Sequence, residues 1–195
     1  MAQGSEERSP HTPGGPRAPH PVHTVDSAPA ASTDALKQLE STFGKVLNIH
    51  GGMAHSPAVL LSYAALGDVI AEHATLDGKT REAIALAVGA EDECTYCQSA
   101  HTGGGKAAGF SDEEMVNIRR GKADDAELDA LLRLARDYTA QVGHTSDAAW
   151  QDAIDAGWSD EQLTELSVHV TLNLFTNYFN HHVHTELDVP EAPAL

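Results

Sequence analysis

The sequence predicts an all-α protein on three observations. Apolar residues recur at spacings of three and four along most of the chain, most of these runs open on a good N-cap, and no useful stretch alternates with period two. The first helix is expected after Asp34, with Leu36, Leu39, Phe43, Val46 and Leu47 on its apolar side. Ser56-Pro57 sets a cap ahead of a proline at the first helical position, opening a second helix toward His73. Asp77 begins a third, which runs to about Val88. A fourth is expected from Cys94 toward Ala108, stopped by Gly109. Ser111, followed by Asp112, Glu113 and Glu114, places acids at the positive end of a short fifth helix ending near Gly121. Asp125 to about Val142 carries Leu128, Leu131, Leu132, Ala135 and Tyr138 in register. Ser146 or Asp147 caps a short segment ending at Gly157, and the capping box Ser159-Asp160-Glu161-Gln162 opens a long last helix toward Tyr178 or beyond. The expectation is therefore seven to eight helices.

Gly103-Gly104-Gly105 conflicts with this scheme, because each glycine inside a helix costs about 0.5–1 kcal/mol relative to alanine. Either the fourth helix is interrupted there or another backbone packs very close.

The first 33 residues hold six of the nine prolines and three histidines, with little that is large and apolar beyond Val22 and Val25. Such a segment buries too little surface to offset its ordering entropy, so residues 1–33 read as a disordered tail and residues 34–195 as one helical domain. Net charge is −17, with 29 acidic residues against 12 basic, and nearly all of the excess lies in the body. That field repels phosphate backbones and anionic lipid surfaces, which argues against nucleic-acid and membrane partners, and it favours solubility. No apolar run approaches the roughly 18 residues of a membrane helix, and the N-terminus lacks the charged-then-apolar layout of a secretory signal. The expected compartment is the cytoplasm. Two cysteines lie three residues apart, and in such a setting a CxxC is more often catalytic or metal-binding than a structural staple.

If a helix starts at Cys94, then at about 100° per residue His101 falls about 20° short of two full turns, and Cys97 lies on the same face. A thiol at a helix N-terminus is acidified by backbone N–H groups and the dipole, and an exposed first cysteine can exchange with a more sheltered second one. Glu91, Asp92 and Glu93 immediately upstream partly oppose thiolate formation. Zinc is the competing reading, since two cysteines and His101 offer three ligands, although ligands on one helical face are a less usual chelating arrangement. Inert cysteines are the third alternative. Glu82 is either a solvated carboxylate or an inward-pointing one among Ala83, Ile84 and Ala85.

Taken together, Glu82, Cys94-x-x-Cys97 and His101, with Ala107-Ala108-Gly109-Phe110-Ser111 after them, resemble the signature of the alkylhydroperoxidase D-like (AhpD-like) group of the carboxymuconolactone decarboxylase superfamily. Asn177-Tyr178-Phe179-Asn180-His181 and Thr185-Glu186-Leu187-Asp188-Val189-Pro190 are similar to the C-terminal segment of many members. The resemblance implies an all-α fold assembling into homo-oligomers (dimers, trimers or hexamers) and a peroxidase with peroxiredoxin activity that needs no cofactor or metal. It implies that Cys97 attacks the hydroperoxide, and that Cys94, nearer the surface, resolves the product and exchanges with a dithiol reductant. Glu82 and His101 would relay the proton. The catalytic set is therefore Cys97, Cys94, His101 and Glu82. Members acting as lactone decarboxylases generally lack the CxxC pair. Tyr96 stands where some peroxidases of the group carry a histidine, and it offers a hydrogen bond instead. The alternatives are a general thiol–disulfide oxidoreductase and a non-enzymatic metal-binding or redox-sensing module.

His169, Asn173, Asn177 and His181 step by four along the last helix, with His182 and His184 at its end. This stripe either packs against a neighbouring subunit, forms a metal site, or lines a cavity facing Cys97.

Overall fold

A computed structural model of the chain describes residues 20–195; the first 19 residues of the expected tail lie outside that range. Nine α-helices and no strand form among the described residues: α1 Ala30–Phe43, α2 Asn48–Met53, α3 Pro57–His73, α4 Gly78–Glu91, α5 Thr95–Ala107, α6 Asp112–Arg119, α7 Ala126–Ala140, α8 Asp147–Ala156 and α9 Asp160–Val183. The capping signals explain most of the starts. Asp77, Ser111, Asp125, Ser146 and Ser159 each accept a backbone N–H with the side chain, and Ser111 and Ser159 complete capping boxes with Glu114 and Gln162. Each such cap is worth about 1 kcal/mol.

Helix α4 is the axis of the molecule. Residues 83–89 are buried all round, and α5, α6, α7 and α9 pack against it. On one side lies the larger core, where Ile84, Leu86 and Val88 meet Met115, Ile118, Leu131, Leu134 and Leu166. Away from it, Leu36, Leu47, Ile49, Met53 and Leu60 of the α1–α3 region form a second core that includes both cysteines and Tyr96. Helix α3 rests on α1 and α2, and leaves Leu61 and Val69 outward, 45% and 55% exposed.

The structure corrects the expected layout in three places. First, α1 begins at Ala30 rather than beyond Asp34, and residues 20–33 are joined to the body. The Ser32 hydroxyl, fully buried, donates to the Ala54 carbonyl (2.9 Å), while the His20 and His23 amides donate to the Val183 and Gly51 carbonyls. Second, nine helices replace seven to eight because α2 intervenes. It has no side-chain cap and contains Gly51 and Gly52, so its stability comes from burial of residues 49–53 rather than from local sequence. Val46 and Leu47 accordingly lie beyond α1, which Gly44 ends with φ +77°. Third, α5 runs unbroken through the three glycines, and at Gly104 and Gly105 it is side chains rather than a backbone that approach, while Gly103 faces open space. A Cβ on Gly104 would collide with the Glu82 carboxylate, and one on Gly105 would stand 2.9 Å from Met115 Sδ.

Candidate active site

The site is built where α4 turns into α5. Asp92 caps α4, Glu93 takes a left-handed conformation (φ +54°), and the Cys94 amide closes the turn onto the Gly89 carbonyl at 2.9 Å. A non-glycine residue costs roughly 1–2 kcal/mol in that conformation, and here it delivers Cys94 to the N-cap of α5. The Cys94 sulfur fills the cap role and accepts the Cys97 backbone N–H at 3.3 Å. A Cβ on Gly89 would meet Cys97 Cβ at 3.5 Å, an ordinary contact, so α4 and α5 lie close together beneath the thiols.

Both thiols are free, with Sγ atoms 2.7 Å apart, so a small closing movement reaches the roughly 2.05 Å of a disulfide. Cys94 is acidified because the Cys97 thiol hydrogen-bonds to it; burial works against this, and the Cys97 backbone N–H and Asn180 add to it. Of the upstream acids, Asp92 opposes that charge, whereas Glu91 is held by Arg136 at 3.2 Å. The Cys97 thiol is pushed up by its bond to Cys94 and by burial, with Asn180 and Thr176 offsetting part of the rise. The first negative charge of the pair therefore forms on Cys94, and the remaining proton stays on Cys97.

The exposure expected for Cys94 is overturned. Cys94 is 1% exposed and Cys97 3%, because Leu36, Leu47, Met53 and Leu60 close over the start of α5. Cys97, but not Cys94, lines a cavity of about 670 Å³ between α3, α4, α5 and α9. Glu82 and His101 line the same cavity, and His101 Nδ1 meets Glu82 Oε2 at 2.9 Å, both side chains about a third exposed. Glu82 thus points toward α5 rather than into bulk solvent, and its contact fixes the imidazole and leaves Nε2 for proton exchange. The four residues singled out in the sequence are brought into one neighbourhood.

Tyr96 donates to Asp188 Oδ1 at 2.7 Å and not to a thiol. Asp188 also accepts the Asn48 amide and pairs with Lys45 at 3.2 Å, so this hydrogen bond ties the C-terminal segment over the second core. In the α9 stripe, His169 and Asn173 line the cavity, Asn177 turns away to Asp92 Oδ2 (2.7 Å), and His181, His182 and His184 are exposed. His169 Nε2 lies 2.8 Å from Glu165 Oε1. Among the described residues no group of three or more His, Cys, Asp or Glu has an arrangement able to hold a metal ion.

Sequence reasoning missed four residues. Asn180 Nδ2 donates to Cys97 Sγ at 3.2 Å, and Thr176 joins it there. The signal was available. From His169, Asn173, Thr176 and Asn180 stand at about +40°, −20° and +20°, so the set keeps to one helical face, whereas three steps of four drift by about 120°. Tyr63 on α3 lines the cavity, and its phenol is pushed up first by burial, then by negative charge at Cys97 and Glu82. Behind it His50 is buried, with Nε2 3.4 Å from Tyr63 Oη, and burial lowers its pKa to about 4. Nothing in the local sequence marks either residue, because their role arises from the packing of α2 and α3.

The profile of the carboxymuconolactone decarboxylase family matches residues 57–141, a span holding Glu82, both cysteines and His101. An uncharacterized protein of Haemophilus influenzae is 53% identical over 45 residues, which is 23% of this chain and 40% of that protein, so the likeness spans less than half of the relative. Among solved structures, an alkylhydroperoxidase AhpD core protein described as peroxidase-related, from Ralstonia eutropha JMP134, superposes with a TM-score of 0.78 at 19% identity, covering 90% of this chain and 94% of that one. The debrominase Bmp8 in complex with 2,3,4-tribromopyrrole superposes with a TM-score of 0.74 at 15% identity, covering 89% and 92%. At these identities the structural likenesses establish a shared fold.

Proposed function

We propose that this chain, which matches the carboxymuconolactone decarboxylase family over residues 57–141 and shares the fold of an AhpD core protein, is an AhpD-like thiol peroxidase that reduces organic hydroperoxides through a Cys94–Cys97 dithiol/disulfide cycle. The observation carrying this reading is the pair of free sulfurs 2.7 Å apart, one of which opens on a cavity that also holds the His101–Glu82 couple. Cys97 is the attacking thiol because it is the one a cavity-bound molecule meets. Its proton passes to His101 Nε2 as Cys97 Sγ bonds to the terminal peroxide oxygen. The O–O bond breaks, the alkoxide takes the proton from His101, and Cys97 becomes a sulfenic acid. Cys94, the first of the pair to give up its proton, then attacks Cys97 Sγ as the thiolate, and the hydroxide expelled takes up one proton, equivalent to the one Cys94 released, and leaves as water with the disulfide formed. The sum is two thiols and one hydroperoxide giving a disulfide, an alcohol and water. A dithiol donor restores the pair, entering at Cys97 because Cys94 is covered.

Glu82 orients His101, and Asn180 and Thr176 stabilise charge on Cys97. Cytoplasmic residence accords with this cycle, which needs a reducing supply, and no helix among the described residues is long and apolar enough to cross a membrane. The outward apolar face of α3 suits a homo-oligomer. Replacing Cys97 by Ser should abolish alkyl hydroperoxide turnover by dithiol-reduced protein, and unchanged turnover would sink the proposal. Faster reaction with model disulfides than with peroxides would instead favour the thiol–disulfide oxidoreductase reading.

A further inference from the structure

We propose that the cavity accepts an amphipathic carboxylate, an apolar body bearing one anionic group that pairs with Arg81, so that the hydroperoxide reduced at Cys97 is the peroxide of such an acid. The inference rests on the peroxidase reading for its chemistry, but the anion site stands on separate observations. Arg81 lines the cavity one residue before Glu82, partly buried, and among the described residues no carboxylate lies within ion-pair distance of it. The guanidinium lies near Gly78, which also lines the cavity. The neighbouring charges make their close contacts elsewhere. Lys45 pairs with Asp188, Glu82 meets His101, and Asp77, whose carboxylate feels the Arg81 charge without reaching ion-pair distance, accepts the Thr80 amide as the N-cap of α4.

A cation left open to a cavity is out of keeping with a chain of net charge −17, in which carboxylates greatly outnumber bases. An arginine there offers a planar fork of donors that matches a carboxylate. The rest of the wall is apolar, with Phe43, Ile70 and Leu172 among its residues, and about 670 Å³ is within the range of sites that enclose a small organic molecule. The thiol, the apolar wall and the cation are thus the three parts needed to hold the reactive, apolar and charged parts of one ligand.

The test compares the hydroperoxide of linoleic acid with that of its methyl ester, using full-length, dithiol-reduced protein and Arg81→Gln. A charge-assisted pair is worth about tenfold or more in kcat/KM. The acid should therefore be preferred over the ester by at least that factor, and in R81Q the ratio should fall toward one. Peroxide turnover with no acid preference in the unaltered protein would overturn this inference while leaving the peroxidase reading intact. A second measurement does not depend on turnover: palmitate and naphthoate, as aliphatic and aromatic probes, are tested for slowing maleimide alkylation of Cys97. Salt-sensitive protection by either probe that is lost in R81Q supports the site, even if no hydroperoxide is reduced. Absence of protection by both overturns it.

Discussion

Replacing Gly104 with alanine separates the role of the Glu82–His101 couple from the stability of the helix that carries it. An added Cβ would stand 2.6 Å from Glu82 Cδ and 2.8 Å from Oε1, closer than atoms in van der Waals contact allow. The carboxylate is the far end of a flexible side chain, so it swings aside and gives up the 2.9 Å contact with His101. Alanine gains about 0.5–1 kcal/mol in the helix interior. The partly exposed pair that is lost is worth about the same or slightly more. Net stability should change by less than about 1 kcal/mol, a melting shift of no more than about 4 °C. Activity should respond differently. A positioned acid–base group contributes about 10²–10⁴-fold, so a displaced Glu82 and a misoriented His101 should cost on the order of 10²-fold in kcat/KM for an alkyl hydroperoxide. Gly103 is the internal control. Nothing lies within 4 Å of a Cβ there, so Gly103→Ala should raise stability by about 0.5–1 kcal/mol and leave turnover unchanged. The assay is steady-state peroxide turnover beside thermal melts of both variants. A G104A protein as active as the unaltered one would refute the claim that the Glu82–His101 contact serves the reaction.

Asn180→Ala removes the amide that lowers both thiols; iodoacetamide alkylation near neutral pH should slow about tenfold, with its pH profile moved upward. His50 is held neutral with a folded pKa of about 4 against about 6.5 when unfolded, so its stabilising contribution is complete above about pH 6.5 and is lost as pH falls toward 4. Urea unfolding should therefore show the native protein losing on the order of 3 kcal/mol more than His50→Phe between pH 7 and 4, and parallel curves would contradict the assignment. Cys94→Ser should stop the cycle after the first step, leaving a sulfenic acid on Cys97 that dimedone traps once per chain; absence of an adduct would move the attack away from Cys97.

Much of the fold was legible because local chemistry specified it. The caps at Asp77, Ser111, Asp125 and Ser159 started helices where a single side chain satisfies a backbone N–H, and the spacing of Cys94, Cys97 and His101 follows from helical pitch alone. What escaped depended on distant partners. Helix α2 exists because its residues are buried, and no cap announces it. Cys94 has the position of an exposed helix start, yet a core assembled from α1, α2 and α3 covers it. The glycine triplet signalled a close approach, but only the folded chain shows that at Gly104 the neighbour is the Glu82 carboxylate. Tyr63 and Arg81 look like ordinary surface residues until the helices enclose a cavity between them.

The measurement that bears most directly on the dithiol cycle is intact-mass and peptide mass spectrometry of the reduced protein after one equivalent of an alkyl hydroperoxide. The cycle predicts loss of two hydrogens per chain, mapped to a bond between Cys94 and Cys97, with one equivalent of the alcohol released. Reduced thiols persisting beside intact hydroperoxide would contradict it.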